Sequence, residues 1–401
     1  MKILLLTSVY QDSELKNRDR STNVINSFVK EWVAQGHDVL VIHNSHYYPQ
    51  IVYSIPTNIK EEISSRLGFP IPDYDIVCPK YYIDNGAHIF RLPIKKYLPH
   101  RKPSTKIIKK QKRKIISILK DYSFNPDVIL GHWASPQMEL VSELKKIYQC
   151  RTAVVLHGSG YISTSSFGAK KYLANIDRLG CRSHTQAKEV KKILELKEEP
   201  FVCYSGIPDE YLNSYSLNTD KFNNIHKWIF TYVGRLVEYK NIDAIIKALS
   251  VFKDIKWELN IVGEGAQMSF LKETAQKCEC NNKVRFWGKI PRQQVMDILS
   301  SSHCFIMIST NEIFGLVYLE AMAASCLTIA SRAGGVDGII RDKSNGFLCE
   351  EGNSDELKKI IKDILEMDTN TITNIARQGR FTAEQYTDSI VAQKYIQCVT
   401  Q

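Results

Sequence analysis

Short runs of apolar, often β-branched residues alternate with longer stretches of helical periodicity from one end of the chain to the other. KILLLTS at 2–8, HDVLVIH at 37–43, PDVILGH at 126–132, TAVVLHG at 152–158 and the stretch from Arg178 to Ser183 have the length and composition of buried strands. Between the first two, a helix is predicted from Asn23 to Gln35, and Gly36 supplies its stop. A second series begins with WIFTYVG at 228–234 and continues through WELNIVG at 257–263, KVRFWG at 283–288, CFIMIS at 304–309 and LTIAS at 327–331. Helices are predicted between them near 241–252, 267–278, 291–300 and 315–325. Strands and helices alternating in this way build parallel sheets covered by helices, so each half predicts a doubly wound α/β domain.

Length supports two cores. At 401 residues the chain exceeds the roughly 250–300 at which a single core stops growing. The stretch SGIPDEYLNSYSLNTDKFNN near 205–225 is rich in turn formers and marks the boundary. The expected domains are 1–210 and 211–381, with a terminal helix at about 382–401 packing back on the first. No window approaches 18 consecutive apolar residues, so no membrane span is expected. MKILLLTSVY reads as a first strand rather than an export signal. The ten cysteines are scattered without zinc-site spacing, which fits reduced thiols in a cytoplasmic protein.

Charge changes the picture in one place. The net charge is +10, yet residues 91–120 alone carry twelve Lys or Arg and no acid, leaving −2 for the rest. A helix over about 104–120 would interleave Ile107, Ile108, Ile115, Ile116, Ile118 and Leu119 with Lys106, Lys109, Lys110, Lys112, Arg113 and Lys114. Such a helix suits an anionic membrane surface. The segment has no nucleic-acid-binding motif, so no nucleic-acid partner is expected.

Candidate chemistry gathers in the second half. In NEIFGLVYLEAMA, 311–323, two carboxylates, Glu312 and Glu320, stand in an otherwise mostly apolar run, and a buried carboxylate requires hydrogen-bond donors. An internal Arg or Lys is one source of them, and ligand hydroxyls are another. VGRLVEYKN, 233–241, places Arg235 and Lys240 around a turn between a strand and a helix, an arrangement that suits a diphosphate. VGEG at 262–265 and AGG at 333–335 add two glycine-lined turns after strands of the same series.

Taken in order, GRL with Lys240, VGEG, the spacing Glu312 to Glu320 with FG between and EAMA after, then AGG and NGFL at 345–348 resemble the retaining GT-B glycosyltransferases of family 4. The resemblance is dense over about 228–350. It implies two Rossmann-like domains facing each other across a cleft, the first for the acceptor and the second for the nucleotide-sugar donor. It also implies that Arg235 and Lys240 grip the donor diphosphate, that Glu312 binds sugar hydroxyls and that Glu320 binds the nucleotide ribose. Gly263 and Glu264, with the backbone around Phe314, Gly315 and Leu316, would line the donor site. His157, in LHGSGY at 156–161, would touch the transferred sugar, and His132 in PDVILGHW is a weaker candidate of the same kind.

The resemblance further implies no cofactor and no metal, a UDP-sugar as donor by family habit, and a saccharide acceptor, lipid-linked, in cell-surface polysaccharide assembly. Two departures stand out. The glycine pair after the first strand is replaced by SVYQDSELKNRDRST, and the glycine-rich loop continues as GGVDGII, with Asp337 and Gly338 where the family has a Pro-Glu pair. A DYD at 73–75 is the one sequence that could suggest a metal site. A sugar-nucleotide epimerase and a non-catalytic partner subunit are the rival readings, although the latter would be expected to lack Arg235, Lys240 or Glu312.

Overall fold

The computed structural model describes residues 1–11, 23–56, 59–60, 63, 78–97, 102–158, 162, 168–310 and 312–401. The DYD at 73–75, most of the loop after the first strand and the end of LHGSGY lie outside them. The chain forms two compact units: Met1–Arg182 with Gln186–Cys203 and Val391–Gln401, and Ser183–Thr185 with Tyr204–Ile390.

Unit 1 is built on an eight-stranded sheet. Its strands are β1 (Lys2–Thr7), β2 (Asp38–His43), β4 (Lys80–Asp84), β5 (Ala87–Arg91), β7 (Val128–His132), β8 (Arg151–Val155), β9 (Arg178–Cys181) and β10 (Phe201–Val202). The order is β10-β9-β8-β7-β1-β2-β5-β4, parallel except for β4. Two short strands, β3 (His46–Tyr47) and β6 (Ile94–Lys95), pair separately. The β4–β5 hairpin was not expected, yet its signal is present: Asn85 and Gly86, both at positive φ, make the two-residue turn that matches strand twist. Near the carboxyl terminus, Trp32 donates its indole N–H to the carbonyl of Ala392 at 3.0 Å, which ties the last helix, Asp388–Thr400, to helix Val24–Ala34.

Helix Thr105–Asp121 corrects the expectation for the basic segment. Its apolar stripe, Ile108, Ile115 and Leu119, is buried in the core of unit 1. What remains outside is the cationic face, with Lys106, Lys109, Lys110, Arg113 and Lys120 exposed.

Unit 2 carries a six-stranded parallel sheet in the order β13-β12-β11-β14-β15-β16. The strands are β11 (Trp228–Val233), β12 (Trp257–Val262), β13 (Val284–Gly288), β14 (Cys304–Met307), β15 (Leu327–Ser331) and β16 (Phe347–Cys349). The first five follow the predicted series within a few residues at each end. β16 is the NGFL stretch, too short for its apolar pattern to announce a strand. A helix follows each of β11 to β14 and β16, whereas β15 runs through a loop directly into β16, and the chain turns back between β11 and β14, where the winding direction reverses. That reversal opens a crevice at the carboxyl ends of two neighbouring strands, which is where open α/β sheets hold ligands.

Candidate donor site

The two loops that flank this reversal carry most of the residues singled out in the sequence. After β11 the chain runs through Gly234 and Arg235 to a short 3₁₀ turn, Glu238–Lys240, then Asn241 at φ 51° opens helix Ile242–Ser250. After β14 it runs through Glu312 to Gly315, whose φ of 70° opens helix Leu316–Ala323. The loops are laced together: Asn241 donates to the carbonyl of Ile308 at 2.9 Å, and the Thr310 N–H donates to the carbonyl of Tyr239 at 2.8 Å. Gly263, after β12, closes the third side. A Cβ there would sit 1.9 Å from the carbonyl oxygen of Gly234, so only glycine permits this approach.

Lys240 is almost fully buried, and its ammonium bonds the Glu312 carboxylate directly. Arg235 stays exposed, and its guanidinium donates to the Tyr239 hydroxyl at 2.7 Å. The sequence places these residues next to the same turn but does not show that the lysine and the glutamate, 72 positions apart, are partners. Gly335, from the AGG loop, packs so closely on Phe314 that a Cβ would come within 2.1 Å of its Cα. Glu264 lies at the edge, its carboxylate accepting from the Lys289 N–H at 3.4 Å.

Glu320 sits in the middle of helix Leu316–Ala323, 5% exposed, and is held by an ion pair with Arg292. Burial pulls the Arg292 pKa down, but Glu320 and Tyr211 outweigh it and hold the guanidinium above its ordinary value. Arg292 was missed because it opens the neighbouring helix, Arg292–Ser301, and no spacing rule links it to Glu320. The question raised by two carboxylates in an apolar run thus has a plain structural answer: each has its own internal cation. The far end of the Glu320 helix is anchored by two more cations, the half-buried Lys221 and the buried Arg380. Lys221 donates to the Ala324 carbonyl at 2.9 Å and Arg380 to that of Ala323, which favours a helix carboxyl terminus twice over.

His157 and His132 belong to unit 1. The sheet of that unit reverses its winding between β1 and β7, so His132 lies at its own switch point, with His157 after the adjacent β8. The two rings are hydrogen-bonded, Nδ1 of His132 to Nε2 of His157 at 2.9 Å, and His157 stacks on Trp133 at 4.0 Å. Burial, reinforced by the charge of Arg182, pushes both imidazoles well below the ordinary histidine range. Both are therefore neutral at pH 7, one donating to the other.

Residues 218–381 match the family described as glycosyl transferases group 1. The chain carries a group 1 glycosyl transferase domain. Among its relatives, an uncharacterized glycosyltransferase of Methanocaldococcus jannaschii is 28% identical over 246 residues, 60% of this chain and 65% of that protein. The N-acetyl-alpha-D-glucosaminyl L-malate synthase of Bacillus anthracis is 24% identical over 257 residues, 60% of this chain and 66% of that enzyme. The chain therefore aligns with just under two thirds of each. Among solved structures, Anabaena HepE in complex with UDP superimposes with a TM-score of 0.66 at 16% identity, covering 100% of both chains. The fold is GT-B. The matched domain includes every loop of the candidate donor site described above.

Proposed function

We propose that the protein is a family 4 glycosyltransferase that moves a hexose or related sugar from a UDP-sugar to a saccharide acceptor with retention of configuration. The observation that carries this reading is the convergence of Arg235, Lys240 and Glu312 on the two loops that flank the β11/β14 reversal. Helix Leu316–Ala323, which holds Glu320, begins at the same place.

In this reading unit 2 takes the donor. A diphosphate at the turn would share the Lys240 ammonium with Glu312 and draw on Arg235, which stabilises the leaving group as the glycosidic bond breaks. Glu312 would bind sugar hydroxyls and Glu320, steadied by Arg292, the ribose. His157, neutral and stacked on Trp133, can donate or accept a hydrogen bond to a sugar hydroxyl without placing a charge beside the oxocarbenium-like centre. No carboxylate stands out as a nucleophile, so front-face attack assisted by the departing diphosphate is the more economical route. The two cations supply positive charge that would otherwise come from a metal, so activity is expected to be metal-independent.

The acceptor is assigned to unit 1 and is read as lipid-linked, with assembly of cell-surface polysaccharide as the context and the cytoplasmic membrane face as the place. The exposed cations of helix Thr105–Asp121 support that last step. A screen of nucleotide sugars for donor hydrolysis and for thermal stabilisation tests the whole reading. UDP-sugars should be selected, turnover should persist in EDTA, and the anomeric product should retain the donor configuration. Stabilisation by no nucleotide sugar, or an inverted product, would overturn it.

A further inference from the structure

At the switch point of unit 1 the ring of His157 is held on two sides. Its Nε2 lies 2.9 Å from Nδ1 of His132, the last residue of β7, and its face stacks on Trp133 with the ring centroids 4.0 Å apart and the planes within 15°. Trp133 adopts a φ of 70°, the left-handed region, which a bulky side chain enters only at a cost. Its N–H donates to the Val155 carbonyl at 3.0 Å, which pins this turn beside β8, the strand that leads to His157. One neighbour thus fixes the tilt of the imidazole and the other meets it edge to edge.

His132 is 0% exposed, and its ring packs against Phe28 at 5.9 Å and edge-to-face against Tyr395 at 5.5 Å. Its second nitrogen, Nε2, is buried with no hydrogen-bond partner among the described residues. His157 is half-buried, and its second nitrogen, Nδ1, takes no hydrogen bond from the described residues. A neutral imidazole carries one N–H, so the pair has two arrangements. If His157 donates from Nε2, His132 must carry its proton on its own Nε2, an enclosed N–H with no acceptor. If His132 donates from Nδ1, the enclosed atom is a bare lone pair, and the N–H of His157 falls on Nδ1. Orphaned buried N–H groups are rarer in proteins than under-satisfied acceptors, which favours the second arrangement. Burial, and then the charge of Arg182, keeps a third proton out of the pair.

We propose that His132 is a positioning residue that fixes His157 as its Nδ1–H tautomer, so that His157 meets the sugar as a hydrogen-bond donor and not as an acceptor. The tautomer of one ring is set by the bond its other nitrogen makes, and here that bond comes from a histidine with no alternative partner among the described residues. The group recognised is therefore an oxygen that accepts, in a direction set by the stack on Trp133. That this oxygen belongs to the transferred sugar rests on the proposed function, whereas the tautomer does not.

Imidazole nitrogen NMR on the full chain, carrying isotope-labelled histidine at neutral pH, reads which nitrogen of each ring is protonated, and substitutions of His132 and His157 assign the two rings. Both should carry the proton on Nδ1, and a proton on Nε2 of His157 would overturn the proposal. Two variants then test the role in transfer. His132→Asn keeps an amide N–H near the position of Nδ1 but underfills the aromatic pocket, whereas His132→Phe fills the pocket and has no donor. Packing alone ranks Phe above Asn. Tautomer control ranks them the other way: kcat of the Asn variant should exceed that of the Phe variant roughly 10-fold or more, with equal UDP affinity by calorimetry and His157 of the Phe variant shifted toward its Nε2–H form. If the wild-type tautomers are as assigned and the Phe variant turns over as fast as the Asn variant, the tautomer stands and its role in transfer is overturned. The wild-type spectra decide the tautomer whether or not either variant folds. Failure to consume any nucleotide sugar would count against the proposed function alone.

Discussion

Removing the Lys240 ammonium would leave the Glu312 carboxylate beside a wall of buried side chains, a loss that typically costs about 3–5 kcal/mol. Lys240→Ala should therefore lower both stability and kcat/KM, whereas Arg235→Ala, on an exposed side chain, should spare stability and still reduce kcat/KM by roughly 30-fold or more. The two glutamates should separate: Glu312→Gln lowers turnover, and Glu320→Gln, which loosens Arg292, mainly weakens nucleotide binding. Calorimetry with UDP beside steady-state rates checks this, and equal loss of UDP affinity in both would refute the division of roles. Sequence located these carboxylates and cations but not their pairing, because Lys240 with Glu312 and Arg292 with Glu320 meet only through packing. His303 illustrates what no pattern shows. Its Nδ1 accepts from the Ile229 N–H at 2.9 Å and its Nε2 faces the Lys221 carbonyl at 3.0 Å, which requires the neutral ring. Burial and then the Lys221 charge lower its pKa to about 4. The unfolded chain, with an ordinary value near 6.5, binds this proton first, so the stabilisation is complete above that pH and is lost as pH falls toward 4. Urea unfolding between pH 7 and 4 should show a decline of up to about 3 kcal/mol that is shallower in His303→Gln.

Elements were legible wherever burial dictates composition. All five predicted strands of unit 2 are present because a parallel strand covered on both faces must be apolar along its length. The β4–β5 hairpin was harder, since an edge strand with Tyr81 and Ile83 exposed breaks the buried-run pattern, and only Asn85-Gly86 announced it. Glycine loops are the elements on which the donor site depends most sharply. At Gly263, with φ of 133° and the Gly234 carbonyl in the way, alanine must either move the β11 loop or distort its own backbone. Gly263→Ala should cost at least about 3 kcal/mol and abolish UDP binding, because the displaced loop carries Arg235 and Lys240. Retained UDP affinity in a folded Gly263→Ala protein would show that the close approach does not position those cations.

On the scale of the whole molecule the charge is the least ordinary feature: one thirty-residue segment supplies more than the whole excess, and the rest of the chain is slightly acidic. Sequence periodicity suggested that the helix in this segment had an apolar face to offer a bilayer, and the structure spends that face on the core of unit 1 instead. Lys112 is likewise engaged, with Glu143 at 2.8 Å. What can reach a membrane is a set of exposed cations, each contributing about 1 kcal/mol near an anionic leaflet and acting only within a Debye length of roughly 8 Å at physiological salt. Attachment by this face should therefore be electrostatic throughout, without the inserted apolar contribution that makes amphipathic helices tolerant of salt. The full chain should cosediment with vesicles rich in anionic lipid, not with neutral ones, and should be released by high salt. Charge reversal at Lys109, Lys110 and Arg113 should abolish the binding, since these side chains are exposed and take no part in the core. Salt-resistant binding would mean that the apolar stripe leaves the core, and equal partition onto neutral vesicles would rule out this face as the anchor.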